Sequence, residues 1–383
     1  MIKTVGYGAM KKGEVSAKRF YRKESGPGDV ELELLYCGIC HSDVHQVRND
    51  WGNTVWPCVP GHEIVGRVSK VGDAVKHFKV GDVAAIGCMI DSCGVCFSCA
   101  HGEEQYCESE TSFLGTYNGT LNPSGQDTYG GYSSRYVVKE HFLLKVPAGI
   151  PPVAAGPIVC AGVTTYSPLK HWGIKEGMKI GVAGFGGLGH MATQIAKAMG
   201  AEVTVLTTSP EKKEDALAMG ATKVIVVTDV KQMQDAANSL QFLLNTIPYK
   251  HDILPYVKLL QRDGVMVIVG VFVPEPEWDP TKFIMHRRSL AGSLIGSIAE
   301  TREVLEFCEK HKVFPKTELI DATKINEAFD NIVNKKARYR YVIDLSSLPK
   351  ENLDSLEEIG SVGHLFEKPK PITEESRPMQ QHL

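Results

Sequence analysis

Three groups of residues in this chain have the types and spacing to do chemistry. The first is the loop Cys93-Gly94-Val95-Cys96-Phe97-Ser98-Cys99, joined a little further on by Cys107. Four thiols on so short a loop suit a tetrahedral metal, which supplies folding energy that the loop cannot gain from a core of its own. With every ligand drawn from protein, no coordination position is left for catalysis; a redox cluster or disulfides remain the alternatives. The second group is scattered. Cys40 lies in Cys37-Gly38-Ile39-Cys40-His41-Ser42-Asp43, His62 and Glu63 follow Gly61, and Cys160 stands far downstream in Val159-Cys160-Ala161-Gly162-Val163-Thr164. Two thiolates and an imidazole, with Glu63 as a fourth or exchangeable ligand, could form a catalytic zinc site with one open position. Each has a plainer reading alone: Cys160 as a small buried hydrophobe, His62 as a hydrogen-bonded turn residue. Cys37, three residues before Cys40, mimics a metal-binding pair with it. The third group is Gly184-Phe185-Gly186-Gly187-Leu188-Gly189. An apolar strand before it and a helix opening from it are what dinucleotide binding at a helix N-terminus requires. Metal and dinucleotide together point to hydride transfer to or from an alcohol.

The choice of dinucleotide rests on the end of the next strand, Val205-Leu206-Thr207-Thr208-Ser209-Pro210. No acidic residue stands there to bond a ribose 2′-hydroxyl. The hydroxyls of Thr207, Thr208 and Ser209, with Lys212 and Lys213 following, suit a 2′-phosphate, so NADP(H) is expected. The plainer reading of the lysines is solvated charge on a helix.

These residues need elements to position them. At 383 residues the chain exceeds the roughly 100–200 residues of a typical domain, so two domains are expected. Up to about Val146 the sequence is rich in β-branched residues, glycine and turn signals, as in Val65-Gly66-Arg67-Val68 and Phe78-Lys79-Val80-Gly81-Asp82, which predicts a mostly β first domain. The stretch Pro147 to Pro152 reads as a linker. Strands are then expected over Lys179 to Phe185, Glu202 to Thr207, Val224 to Val227, Phe242 to Asn245, Val265 to Val271 and Leu290 to Gly292, with helices between, including Leu188 to Met199 and Glu211 to Met219. Such alternation is an α/β pattern of right-handed βαβ units in a doubly wound parallel sheet. A helix from Thr301 to His311, another from Asn326 to Asn334 and a last strand from Tyr339 to Leu345 lead back to the first domain.

Composition bounds the partners. With 43% hydrophobic and 23% charged residues the chain reads as globular, and a net charge of -3 gives no reason to expect nucleic acid or an anionic membrane. No apolar run approaches the roughly 18 residues of a membrane span, and Met1 to Gly6 lack the apolar core of a signal peptide, so a cytoplasmic protein is expected. Ten cysteines in such a chain are read as metal ligands before disulfides.

Taken together, Cys40-His41-Ser42-Asp43-Val44-His45, Gly61-His62-Glu63 running on to Val71-Gly72-Asp73, the four-cysteine loop and Gly184 to Gly189 resemble the zinc-dependent medium-chain alcohol dehydrogenases. Within that family the chain is most similar to the cinnamyl alcohol dehydrogenase branch, on Cys160 to Leu169, Thr207 to Lys213, Gly292 to Ser297 and Ala337 to Val342. The match covers Met1 to about Leu345. It implies a GroES-like catalytic domain built from residues 1–154 and 296–345, a Rossmann domain over 155–295, and a homodimer joined through the Rossmann sheets. Residues 346–383 extend beyond the family's usual end and read as an accessory wrap or a flexible end. The resemblance also implies two zinc ions per chain, a catalytic one on Cys40, His62, Glu63 and Cys160 and a structural one on Cys93, Cys96, Cys99 and Cys107. It assigns Ser42 and His45 to a proton relay and Asp43 to a position behind the zinc. Thr164 falls on a nicotinamide contact, Gly184, Gly186, Gly187, Leu188, Gly189 and Arg340 on the cofactor, and His41 on the pyrophosphate, where many relatives carry arginine.

The implied reaction is hydride transfer between NADP(H) and the carbonyl carbon of an aldehyde. Trp51, Trp56, Phe113, Phe272, Trp278, Leu294 and Ile295 are candidates for an apolar pocket that favours aromatic or medium-chain aldehydes. A polyol dehydrogenase is the rival enzyme, and it needs several polar pocket groups that the sequence does not assemble. A non-catalytic zinc and nucleotide binding protein is the rival of another class, against which Ser42 and His45 argue.

Overall fold

A computed structural model describes residues 1–109, 112–118, 120–121, 126–271 and 279–361. The chain opens with an antiparallel pair, β1 (Ile2–Gly8) and β2 (Ser16–Arg22). β3 (Asp29–Gly38), which leads through Cys40 into α1 (His41–Arg48), is the hub of a seven-stranded sheet. β4 (Ile64–Val71) pairs with it on one side, followed by β5 (Val83–Ile86), while β6 (Arg135–Lys139) pairs along its first half and β7 (Leu144–Lys145) closes on β5. Ile64, Val65 and Val68 of β4 are buried and Arg67 between them is exposed, as expected of β-branched residues on a half-covered sheet.

A helical run over residues 152–171 crosses to the second sheet. That sheet has six parallel strands: β8 (Lys179–Ala183), β9 (Glu202–Thr207), β10 (Lys223–Val226), β11 (Leu240–Asn245), β12 (Leu260–Ile268) and β13 (Ser289–Gly292). Their spatial order is β10-β9-β8-β11-β12-β13, the doubly wound arrangement whose crevice lies where the order reverses, at the C-terminal ends of β8 and β11. α2 (Gly189–Ala198) follows β8 and α3 (Lys213–Ala218) follows β9. β8 is buried along all but its first residue because helices cover both faces, so its sequence is a continuous apolar run.

The chain then returns through α4 (Ile298–His311), β14 (Thr317–Asp321), α5 (Ile325–Val333) and β15 (Arg340–Asp344). β15 pairs antiparallel with β3, Ile343 opposite Cys37, so both ends of the chain build the first sheet. Several expected boundaries move. α4 starts at Ile298 rather than Thr301 because Ser297 caps it: Ser297 Oγ accepts from Glu300 N and Glu300 Oε2 accepts from Ser297 N, each at 3.1 Å. The helix expected over 211–219 is shorter, since Pro210 opens a tight 3₁₀ turn to Lys212 and α3 begins after it. The strand expected over 265–271 runs from Leu260 to Ile268. β14 answers to no sequence expectation; it is an edge strand with Leu319 half exposed and acidic neighbours, so its hydrophobic alternation is weak.

The tail, read as a wrap or a flexible end, is a wrap as far as residue 361. β16 (Glu358–Ser361) adds in parallel to β2 and buries its own Ile359. Lys3 and Arg19 both reach Asp354, at 2.6 and 3.1 Å, and Lys18 reaches Glu357 at 2.6 Å. The rest of the tail, with Phe272 and Trp278, lies outside the described residues. Among the described residues no helix is long and apolar enough to cross a membrane.

Candidate active site

Three chain segments converge on one point. Cys40 is the N-cap of α1, in extended conformation at the end of β3. Gly61, at φ 108°, takes a turn that side-chain-bearing residues rarely adopt and delivers His62 and Glu63 to the start of β4. Cys160 sits in a single widened π turn, Ile158–Gly162, within the helical run 152–171, a feature frequent at functional sites. One ligand atom each from Cys40, His62, Glu63 and Cys160 lies within 4.8 Å of the others, and all four residues are buried. His62 Nε2 is 3.2 Å from Cys160 Sγ. Both carboxylate oxygens of Glu63 are buried and accept no hydrogen bond, although Arg340 Nη1 stands 3.2 Å from Oε1. A carboxylate buried in that way is costly unless a cation completes it. Burial pushes Glu63 up to about 7 despite Arg340. Two thiols, an imidazole and a buried carboxylate that accepts no hydrogen bond therefore fit a zinc ion.

Asp43 orients this set. It is wholly buried; Oδ2 accepts from Cys40 N at 2.8 Å and from Tyr132 Oη at 3.0 Å, and Oδ1 accepts from Gly61 N at 3.2 Å. The same Oδ1 is 3.2 Å from His62 Nδ1, which fixes the proton there and frees Nε2 as a ligand. Ser42 Oγ lies 3.7 Å from Cys40 Sγ, and His45 Nδ1 lies 2.8 Å from Asp50 Oδ2. Ser42 and His45 line one cleft, yet no hydrogen bond joins their side chains among the described residues. His41 stacks on His45 with centroids 4.6 Å apart; burial, with His45 beside it, pushes His41 down to about 4, so it is neutral.

The four-cysteine loop closes on itself. The sulfurs of Cys93, Cys96, Cys99 and Cys107 lie within 4.8 Å of one another, and no pair is bonded as a disulfide. Backbone amides point at them: Cys96 N to Cys93 Sγ at 3.3 Å, Glu108 N to Cys96 Sγ at 3.4 Å, and Cys93 N to Cys107 Sγ at 3.5 Å. Amides aimed at sulfur favour thiolates, the form that a metal binds.

The cleft runs from Cys40 and Ser42 to the C-terminal ends of β8 and β9. Gly184 takes φ 89°, and a Cβ on Gly189 would stand 1.9 Å from Gly184 O, so α2 packs directly on the turn. A Cβ on Gly187 would stand 2.9 Å from Arg340 Cζ. Thr207, Thr208, Ser209 and Lys212 line the far end, where Lys212 Nζ donates to Phe185 O at 3.3 Å. Lys213 is exposed and outside the cleft, and Thr164 is buried without lining it.

The Alcohol dehydrogenase GroES-like domain model matches residues 26–148, and the Zinc-binding dehydrogenase model matches residues 187–310. Aldehyde reductase YahK of Escherichia coli is 46% identical over 329 residues, which cover 85% of this chain and 93% of that protein. The chain is a zinc-binding alcohol dehydrogenase. A cinnamyl alcohol dehydrogenase from Sorghum bicolor superimposes with a TM-score of 0.88 at 38% identity, covering 91% of this dehydrogenase and 99% of that chain. The CAD from Helicobacter pylori, solved in complex with NADP(H), gives 0.85 at 38% identity, covering 90% and 99%.

Of the described residues among those expected around the substrate, only Trp51 lines the cleft, with its ring 5.2 Å from that of His45. Ile295 lines a small separate cavity with Cys88 and Val159; Trp56 and Phe113 pack against the core; Leu294 is exposed, its amide donating to Tyr106 Oη at 3.4 Å. Asp50 and Tyr132 do work in this dehydrogenase that no sequence signal announced. Neither belongs to a motif, and each meets its partner only through the fold.

Proposed function

We propose that this dehydrogenase interconverts aromatic or medium-chain aldehydes and primary alcohols with NADP(H), reduction being the favoured direction. The observation that carries the reading is the buried Glu63 carboxylate, which among the described residues accepts no hydrogen bond and has Arg340 alone beside it as an ion-pair partner, gathered with Cys40, His62 and Cys160 at the end of the cleft that begins at Gly184 to Gly189. Those four residues would hold the catalytic zinc, and Cys93, Cys96, Cys99 and Cys107 a structural one. Bound together, the metal and the nicotinamide supply Lewis acidity at a carbonyl or alcohol oxygen and the hydride for its carbon.

The chain's own groups do the rest. Asp43 keeps the His62 proton on Nδ1. Ser42 exchanges a proton with the substrate oxygen; His45, bonded to the half-exposed Asp50, is the next base along the cleft and would take that proton to solvent through a group bridging it to Ser42. Gly184, Gly186, Gly187, Leu188 and Gly189 cradle the pyrophosphate with Arg340 and His41, and Thr164 backs the nicotinamide. Thr207, Thr208, Ser209 and Lys212 favour a 2′-phosphate, while Lys213 faces solvent outside the cleft. NADP(H) is consistent with the relative solved in that complex. We assign residues 1–154 and 296–345 to the catalytic domain, 155–295 to the Rossmann domain and 346–383 to an extension. A cytoplasmic homodimer is the expected state. Support for the dimer comes from β13, an edge strand paired only with β12 among the described residues, and from Ile284 and Met285, shortly before it in the chain, which are 74% and 75% exposed.

Steady-state assays with NADPH on a panel of aldehydes and polyols test the reading. Apolar surface withdrawn from water is worth roughly 25 cal/mol per Å², so cinnamaldehyde and benzaldehyde should show kcat/KM at least tenfold above acetaldehyde. Equal values for acetaldehyde and cinnamaldehyde, or a preference for polyols, would refute the substrate assignment.

A further inference from the structure

Two ammonium groups reach the same end of the cleft from different parts of the chain. Lys212 comes from the turn after β9. Lys335 comes from the return segment, just after α5, and lines the cleft with Thr207, Thr208 and Ser209. Lys335 takes φ 59°, a left-handed conformation that suits glycine or asparagine better than lysine. Its Nζ stands 4.7 Å from the ring centroid of Tyr249 and within ion-pairing distance of no carboxylate among the described residues. The neighbouring cations are engaged otherwise: Lys316 and Arg338 both face Asp215, at 3.2 and 3.6 Å. Lys212 rests against the Tyr339 ring at 5.5 Å and donates to Phe185 O at 3.3 Å. Burial lowers the pKa of Lys212, and Arg338 and Lys335 add to the effect against Glu211 and Asp215, so the like charges are close enough to feel one another. Such a concentration of positive charge is favourable chiefly when an anion shares it.

We infer that Lys335 is a determinant of cofactor choice, holding the 2′-phosphate of NADP(H) from the side opposite Lys212. The inference rests on the NADP(H) reading above. A phosphate near neutral pH carries close to two charges and accepts several donors. Lys212 with the hydroxyls of Thr207, Thr208 and Ser209 serves one face of it, and Lys335 serves the other. The cofactor would then be gripped by both parts of the chain. An NAD(H) molecule, with a hydroxyl in place of the phosphate, forgoes the second grip.

Calorimetric titration of the full chain with 2′,5′-ADP and with 5′-AMP tests this without any turnover. Wild-type protein should bind 2′,5′-ADP at least tenfold more tightly. Lys335→Asn removes the charge and keeps the left-handed turn; it should reduce that ratio by about tenfold, the value of one charge-assisted contact, with the affinity for 5′-AMP held within about twofold. Lys335→Arg should restore most of the ratio, and Lys336→Asn, at the exposed neighbouring cation outside the cleft, should leave it alone. A wild-type ratio that survives Lys335→Asn, or that falls equally with Lys336→Asn, overturns the role of Lys335. A wild type that does not distinguish the two nucleotides overturns the NADP(H) reading itself.

Discussion

His190 shows how the cleft's charges reach stability at the scale of one residue. It is wholly buried in the first turn of α2, with Nδ1 3.2 Å from Gly186 O, and its ring stacks on Tyr339 at 5.4 Å. Burial, with the Arg340 guanidinium next in weight, pushes its pKa down to about 3, and the positive end of a helix acts the same way. Below the ordinary histidine value of about 6.5 the unfolded chain binds a proton that the folded chain refuses. Its contribution is therefore whole above about 6.5 and is lost as pH falls towards the folded value, at roughly 1.4 kcal/mol per pH unit. Denaturant unfolding at pH 7 and pH 5 should show His190→Gln narrowing the difference between the two stabilities by about 2 kcal/mol. An unchanged difference would mean that the folded imidazole is charged. The residues legible in the sequence at this scale, Cys40, His62, Glu63 and the four loop cysteines, are those whose chemistry is rare enough to stand out by type. Asp50, Tyr132 and Lys335 are common types made special by what the fold sets beside them.

At the scale of elements, the four-cysteine lobe and the catalytic cluster differ in how they are closed. The lobe has four sulfurs with amide donors aimed at Cys93, Cys96 and Cys107, whereas the cluster has two sulfurs, an imidazole and a carboxylate, and its Cys40 opens on the cleft. Two zinc ions per chain are expected, and a mild chelator should remove the catalytic one first, with activity lost while the lobe keeps its ion and the far-ultraviolet circular dichroism is unchanged. Metal analysis alongside activity decides it; full activity with one zinc or none would remove the proposed chemistry. The lobe also leans on the rest of the molecule: Glu104 Oε2 accepts from Ile298 N at 3.4 Å and Glu104 Oε1 meets His141 Nε2 at 2.8 Å. Elements were legible wherever period and punctuation agreed, as in β8, the glycine turn and α2. They were not where a cap or an edge governs: Ser297 moves the start of α4, and β14 carries too little buried surface to alternate.

At the scale of the molecule, the outer edge of β13 is the surface that a second copy would cover. Ile284 and Met285, shortly before it in the chain, are the most exposed large hydrophobic residues of the nucleotide-binding half among the described residues, and exposed apolar surface at a sheet edge invites pairing. Sedimentation of wild-type protein should give twice the mass of the 42.0 kDa chain, and Met285→Lys with Ile284→Asp should shift it towards one chain. A wild-type monomer would remove the dimer from the reading. The two-sheet plan was legible because strand-rich and alternating segments differ in composition; that the tail docks on β2 was not, since its ion pairs join residues at opposite ends of the sequence.

The pairing of β15 with β3 fixes an order of events during synthesis. A chain emerging from the ribosome delivers β3 early, with one edge satisfied by β4, the first half of the other by β6, and only the stretch from Tyr36 to Gly38 left bare. The partner for that bare edge, residues 340–344, is made only after the entire nucleotide-binding sheet. The thiols and imidazole that would take a metal, Cys40, His62 and Cys160, are by contrast all present before the first strand of that sheet is made. A metal ion can thus gather the early segments while the strand that completes their sheet does not yet exist.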